Sequence, residues 1–330
     1  MGWQDVAAEL MPFYDYGIGM LSYILNILVI YLALTQFTKS TAEYKTIILL
    51  NCVVDLIFNT VNVLTRTVAD VQDGNLFLLS TGPLGEIPQP YAAMITFFWV
   101  WSLLLTVVTV PMQFLYRYSM LCLKNPLSLK HYVLIYGGFI LATALHCAAG
   151  VFVFETDPKL LKEYEPLLRK NPMFKEHLPV FTLGIKDSPK QAFHMMDVVL
   201  IAGVAYSLVV FCGIRTFQRL KETRDSLSKK TLAVQRQMTI IMAIQATNPL
   251  IMLNGPTVGA CLLALFNVTF SGVSFFTTPV IACIPILNPL CVIMVIPSFR
   301  RFITCHRLRH GKRIGATSEG LSTRVSSRQT

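Results

Sequence analysis

Seven long apolar runs, separated by short polar segments, organise this chain. Their approximate bounds are 13–36, 46–69, 91–116, 131–154, 194–216, 237–265 and 273–296. A helix needs about 20 apolar residues to cross roughly 30 Å of hydrocarbon, so each run can span a bilayer. Backbone polar groups at bilayer depth must be satisfied within the segment, which makes each run a helix. The pattern predicts an all-α membrane protein with a seven-helix transmembrane domain over 13–296, a short segment 1–12 before it and a tail 297–330 after it. The tail opens with PSFRRFITCHRLRHGKR, where bulky apolar and basic residues alternate. That alternation predicts a short amphipathic helix on the membrane surface.

Polar residues inside the runs carry the functional signal. An Asp at a helix centre opposes insertion by roughly 2.5–3.5 kcal/mol, so such residues mark function by default. Span 2 reads LLNCVVDLIFNTVNVLTR, and its Asn51, Asp55, Asn59, Asn62 and Arg66 recur at spacings of 4, 4, 3 and 4. That is one face of an α-helix, which must point into the bundle or a water-filled cavity. For the Asn residues a hydrogen-bonded seam between helices and a working site stand side by side. For Asp55 a working role is favoured, because an ionisable group is poor glue. Arg66, near the end of the run, is expected to snorkel or to pair with Asp70. Asn26 lies mid-span in the first run. Asn288-Pro289 is expected to break the seventh run, freeing carbonyls near residue 285. Pro249 and Gly255-Pro256 are expected to bend the sixth. Arg117 follows the third run, where it can bind carbonyls at the ends of spans 5 and 6, or a partner's tail.

Composition agrees with the pattern: 54% of residues are hydrophobic and 14% charged, against about 25% charged in soluble domains. The net charge of +10 does not indicate nucleic acid, because the positive residues are mostly confined to short segments between apolar runs. With the C-terminus inside, 20 Lys and Arg fall on the cytoplasmic side, and the outer loops hold seven, all within 155–193. The positive-inside rule therefore predicts an extracellular N-terminus and a cytoplasmic C-terminus. Segment 155–193 is charged on both signs and interrupted by Pro158, Pro166, Pro172, Pro179 and Pro189; it is expected to cap the bundle from outside. The eight cysteines lie mostly within apolar runs and read as buried hydrophobes. No CxxC motif occurs and no metal site or cofactor is expected. The N-terminus lacks a basic signal-peptide region. No internal repeat is evident.

The placing of Asn26, Asp55, Arg117 and Asn288-Pro289 in spans 1, 2, 3 and 7 resembles rhodopsin-like G-protein-coupled receptors. There are departures: Tyr116 stands where an acid usually precedes the span 3 Arg, Val292 replaces the Tyr closing the span 7 motif, and the usual span 3 disulfide has no cysteine available. The stretches TAEYKTIILLNCVVDLIFN, FLYRYSMLCLKNP, SKKTLAVQRQMTIIMAIQATNPLI and PILNPLCVIMVIPSFRRFI are similar to nematode chemosensory receptors of the Str superfamily, and within it to the Srd class (serpentine receptor class delta). The resemblance implies olfactory-type detection of a small environmental molecule or pheromone at the plasma membrane of sensory cilia, with a heterotrimeric G protein as partner. It implies no enzymatic activity. Asn26, Asn51, Asp55, Arg117, Pro249, Asn288 and Pro289 then become candidate switch residues.

The outer half of such a bundle is the usual pocket. Its inward candidates are Phe98, Trp101 and Ser102 of span 3, His194 and Asp197 of span 5, Asn254 of span 6 and Thr277 of span 7. His146 in span 4 is read as an interhelical hydrogen-bond partner. Cys305 is a palmitoylation candidate. Membrane lipid is an implied partner, and a homo- or heterodimer is compatible with such a bundle. The alternative function is a transporter or channel subunit using Asp55 as an ion or proton site. The lack of repeats and the basic inner surface weigh against it.

Overall fold

The computed structural model describes residues 3–37, 42–224, 228–255, 259 and 273–304. Its long helices are α1 (Trp3–Gln36), α2 (Ala42–Thr65), α3 (Tyr91–Cys122) and α4 (Leu129–Val153). A short helix α5 (Pro158–Leu168) precedes α6 (Pro189–Glu222) and α7 (Lys229–Pro249). Span 7 comprises α8 (Val273–Ala282) and α9 (Ile284–Val295). A last helix of about two turns occupies 297–304. Six helices among the described residues are long and apolar enough to cross a membrane. With α7 they form the seven-helix bundle, a multi-pass membrane fold.

Burial is inverted relative to a soluble protein. Ser22, Asn26, Asp55, Asn59 and Ser102 are buried, whereas Phe13, Ile24, Leu145, Phe152, Leu200 and Phe217 are exposed on outer faces. Apolar residues outward and polar residues inward is the arrangement that a lipid solvent demands. α3 is the central strut, touching α2, α4, α6 and α7; α1 closes the ring between α2 and span 7. After span 7, Phe299 is buried and Phe302 and Ile303 pack on the core below α1 and α9, while Arg300 and Arg301 stay exposed. The alternation seen in the sequence thus resolves into an amphipathic helix.

Several elements run beyond their expected bounds. α3 continues to Cys122, so Arg117 sits on the helix rather than after it. α6 begins at Pro189, whose missing N–H is harmless in a first turn. Three of the five prolines of 155–193 likewise initiate helical segments instead of breaking them. Pro158 starts α5 behind the N-cap Asp157, and Pro172 starts a single turn behind Asn171.

Segment 67–80, expected to be span end and loop, is a β-hairpin: β1 (Thr67–Gln72) pairs antiparallel with β2 (Asn75–Ser80). Asp73 and Gly74 take φ of 50° and 79°, the left-handed pair that a two-residue hairpin turn requires. β3 (Phe181–Gly184) joins the outer edge of β2, with Leu79 opposite Phe181. Phe77, Leu79, Phe174, Phe181 and Leu183 form an apolar core under α5. This small sheet sits on the bundle, with β1 against α8.

Two helix bends differ from expectation. The seventh span does not break at Asn288-Pro289, because α9 runs straight through it. The break falls at Cys283, whose N–H bonds back to Val280 instead of Pro279. The Pro279 carbonyl so released accepts from Tyr14 Oη of α1 at 3.2 Å. In span 6, Pro249 is followed by a wide π-turn, Leu250–Asn254. A proline that cannot donate to its i−4 carbonyl permits such a widening.

Candidate functional site

The polar face of α2 is the hub of the bundle, since each member of the stripe meets a different region. Asn51 donates to Gln245 of α7 at 3.0 Å and accepts a short hydrogen bond from Gln113 of α3. Asp55 accepts from Asn288 Nδ2 of α9 at 3.0 and 3.2 Å. Asn59 donates to the Gly19 carbonyl of α1 at 3.0 Å, and Asn62 accepts from Trp99 Nε1 of α3 at 2.8 Å. Arg66 pairs with Asp15 of α1 at 3.0 Å, and both are buried. The expected Arg66–Asp70 pair therefore does not form. Arg66 takes a left-handed φ of 43° where helix meets strand, and its side chain reaches back to α1. Asp70 instead accepts from Gln72 at 3.1 Å and from Asn171 at 3.0 Å, and Asn171 also donates to Ser274 at the head of α8. Burial pushes the Asp70 carboxyl above its ordinary range, against the pull of these hydrogen bonds.

Asn26 answers the defect that Pro289 creates. Pro289 has no N–H, so the Pro285 carbonyl lacks its helical donor. Asn26 Nδ2 supplies one at 2.9 Å while also donating to the Ser22 carbonyl at 3.0 Å, and Ser22 Oγ approaches Pro285 O at 3.4 Å. That substitution of donors explains how α9 stays helical through its proline. A void of about 10 Å³ lies among Asn51, Asp55, Thr106, Gln113, Gln245 and Asn288, room for about one water. Pro249 also lines it, so the bend of span 6 and Asn288 of span 7 meet at one point.

Arg117 is buried at the opposite end from the sheet. It donates to the Gln235 carbonyl at 2.9 Å, Gln235 Oε1 at 3.0 Å and Thr239 Oγ1 at 2.8 Å. It therefore clasps α3 to α7 (span 6).

The expected ligand pocket assembles only in part. Phe98 is 50% exposed and faces outward, which removes it from the set. Its neighbour Trp99, left out of that set, faces inward in a cluster with Phe58, Leu103 and Ile284. Trp101 wedges against residues of α3, α4 and α6, with its indole N–H buried and no partner among the described residues. Ser102 is buried and donates to the Trp99 carbonyl. Asp197 points at α4, where it bonds His146 Nδ1 at 2.6 Å, and its side chain is half exposed. His146 in turn stacks on His194 at 4.0 Å between centroids, with Phe97 and Phe154 edge-on. This trio ties α4 to α6. Thr277 Oγ1 is buried without a partner among the described residues. The Asn254 side chain and Cys305 lie outside the described residues.

The missed residues had a readable signal. Trp99, Thr106, Thr109 and Gln113, missed in the sequence, fall in line with Ser102 and Arg117, which it did name: the six follow one another at spacings of 3, 4, 3, 4 and 4 and are all buried. It is the same helical stripe that singled out α2, displayed on α3. Asp15, Gln235 and Gln245 are single polar residues whose importance comes from partners on other helices.

A bundle of seven helices with a polar core, a central α3 and a proline-bearing span 7 defines a G-protein-coupled-receptor-like fold. Among solved structures, squid rhodopsin superposes with a TM-score of 0.61 at 16% identity, covering 92% of this chain and 86% of that one. Residues 13–304 match the family model for the serpentine-type 7TM GPCR chemoreceptor Str, and the chain belongs to that family. Among curated relatives, the Caenorhabditis elegans G-protein coupled receptor str-33 is 22% identical over 334 residues, 92% of this chain and 91% of that protein. Serpentine receptor class r-10 of the same organism is 27% identical over 103 residues, 31% of this chain and 30% of that protein.

Proposed function

We propose that this chain detects a small environmental molecule or pheromone at its sheet-capped end and signals to a heterotrimeric G protein at its basic end. The N-terminus is then extracellular and the C-terminus cytoplasmic, in the plasma membrane of sensory cilia. The observation that carries this reading is the row of buried polar contacts spaced along α2 and α3, with the Arg117 clasp on α7 at its basic end. Bistable packing of that kind lets a contact change at one end bias the other. Ligand would favour the packing in which Arg117 releases Gln235 and Thr239 and a crevice opens beside it. Resemblance of the quoted stretches favours the Srd class within the superfamily.

The test is expression with a promiscuous G protein and a screen of volatile and water-soluble compounds. A responding compound should lose efficacy in Asp55→Asn while surface delivery persists. Ligand-driven current that continues without G protein would refute the reading in favour of conduction or transport.

A further inference from the structure

A groove of about 610 Å³ lies at the basic end, on the outer flank between α7 and the end of span 7. Three cations rim it from two elements: Lys229 and Arg236 of α7, and Arg300 of the helix after span 7. Its floor is apolar, built from Leu232, Ile240 and Val295. Among the described residues no acidic side chain lines it, and none of the three cations forms an ion pair. Above the floor the exposed apolar surface continues through Ile244 of α7 and Met294 of α9. Arg236, Ile240 and Ile244 recur every fourth residue, so charge gives way to grease along one helix face.

We infer that this groove binds an anionic phospholipid whose headgroup carries phosphomonoesters. The phosphates would meet Lys229, Arg236 and Arg300, and the acyl chains would follow Ile240, Ile244 and Met294. The positive-inside distribution places this level in the cytoplasmic leaflet, where anionic lipids reside. Charge argues against the chain's own tail as occupant. Residues 305–330 carry Arg307, Arg309, Lys312, Arg313, Arg324 and Arg328 against Glu319 as the sole acid. Lipid here would brace α7 against span 7, on the side of α7 away from the face that Arg117 clasps, so the site uses none of the Arg117 contacts.

The experiment uses the purified full chain in detergent, with the thermal midpoint followed against added dioctanoyl phosphatidylinositol bisphosphate. A ligand that binds only the folded state raises the midpoint with concentration. The expected result is a saturable rise with this lipid, none with dioctanoyl phosphatidylcholine, and binding at least about tenfold weaker for free inositol trisphosphate, which lacks the chains. Arg236→Gln with Arg300→Gln should weaken the lipid about thirtyfold, and Lys221→Gln, exposed on α6, less than about threefold. Ile240→Glu, which keeps all three cations, should abolish the rise. Unchanged affinity in the double Gln variant, or an equal loss in Lys221→Gln, would overturn the site. Equal binding of the free headgroup or of a polyglutamate peptide would reassign the groove to a soluble or protein polyanion and overturn the lipid.

Discussion

Replacing Asn26 with Leu tests the account of how span 7 tolerates Pro289. Leu fills a similar volume and removes the Nδ2 donor that reaches Pro285 O at 2.9 Å. A buried carbonyl left without a partner costs about 1–3 kcal/mol. Two features pull the cost to the low end. Ser22 Oγ still approaches the same oxygen at 3.4 Å, and Asn26 Oδ1 is itself buried without a partner in the parent. Asn26→Leu should therefore cost about 1 kcal/mol. Pro289→Ala restores an N–H four residues after Pro285, so the helix can satisfy the carbonyl itself. In that background Asn26→Leu should cost almost nothing, giving a coupling of about 1 kcal/mol in a double-mutant cycle. Reversible denaturation in detergent, followed by helical circular dichroism, measures all four proteins. If Asn26→Leu costs the same with Pro or Ala at 289, carbonyl satisfaction is not the reason for Asn26.

Gln235→Ala combined with Thr239→Val removes two side-chain acceptors of Arg117, at 3.0 and 2.8 Å. Hydrogen bonds to charged groups contribute about 1.5–3 kcal/mol, so ligand-free nucleotide exchange on the G protein should rise about tenfold or more; an unchanged basal rate would refute the clasp. Asp70 makes the sheet's attachment pH-dependent. Its folded-state value is raised by burial, so the folded protein holds its proton more tightly than the unfolded chain does. The associated stability is full below the ordinary carboxylate value and is lost as pH climbs through the raised one. Asp70→Asn keeps an acceptor for Asn171 and should flatten that slope, raising the thermal midpoint at neutral pH relative to the parent; identical slopes in both proteins would dismiss Asp70 as the cause.

Hydrophobic periodicity alone determined the seven-helix membrane architecture, because lipid imposes length and apolarity on every crossing segment. It also determined that the stripe Asn51, Asp55, Asn59, Asn62 and Arg66 faces inward, since a polar face has nowhere else to go. The quoted stretches pointed to the Str superfamily that the family match then showed. Which partner each polar residue chose was decided by tertiary structure. Arg66 took Asp15 across 51 positions of sequence and left Asp70 to Asn171. The ring of α3 that meets α2 and span 7 is Trp99, while Trp101 turns toward α4 and α6 and Phe98 faces outward, because only the helix phase set by the whole bundle selects the face. The Asp-Gly turn of the hairpin was legible in VQDGNL, but two strands this short are stable only when another element covers them. Here β3 and α5 arrive from about a hundred residues later in the chain to do so. Pro289 looked like a helix break by local rules. It is not one, because a donor on α1 completes what the local backbone lacks, and such a donor belongs to the fold rather than to the segment.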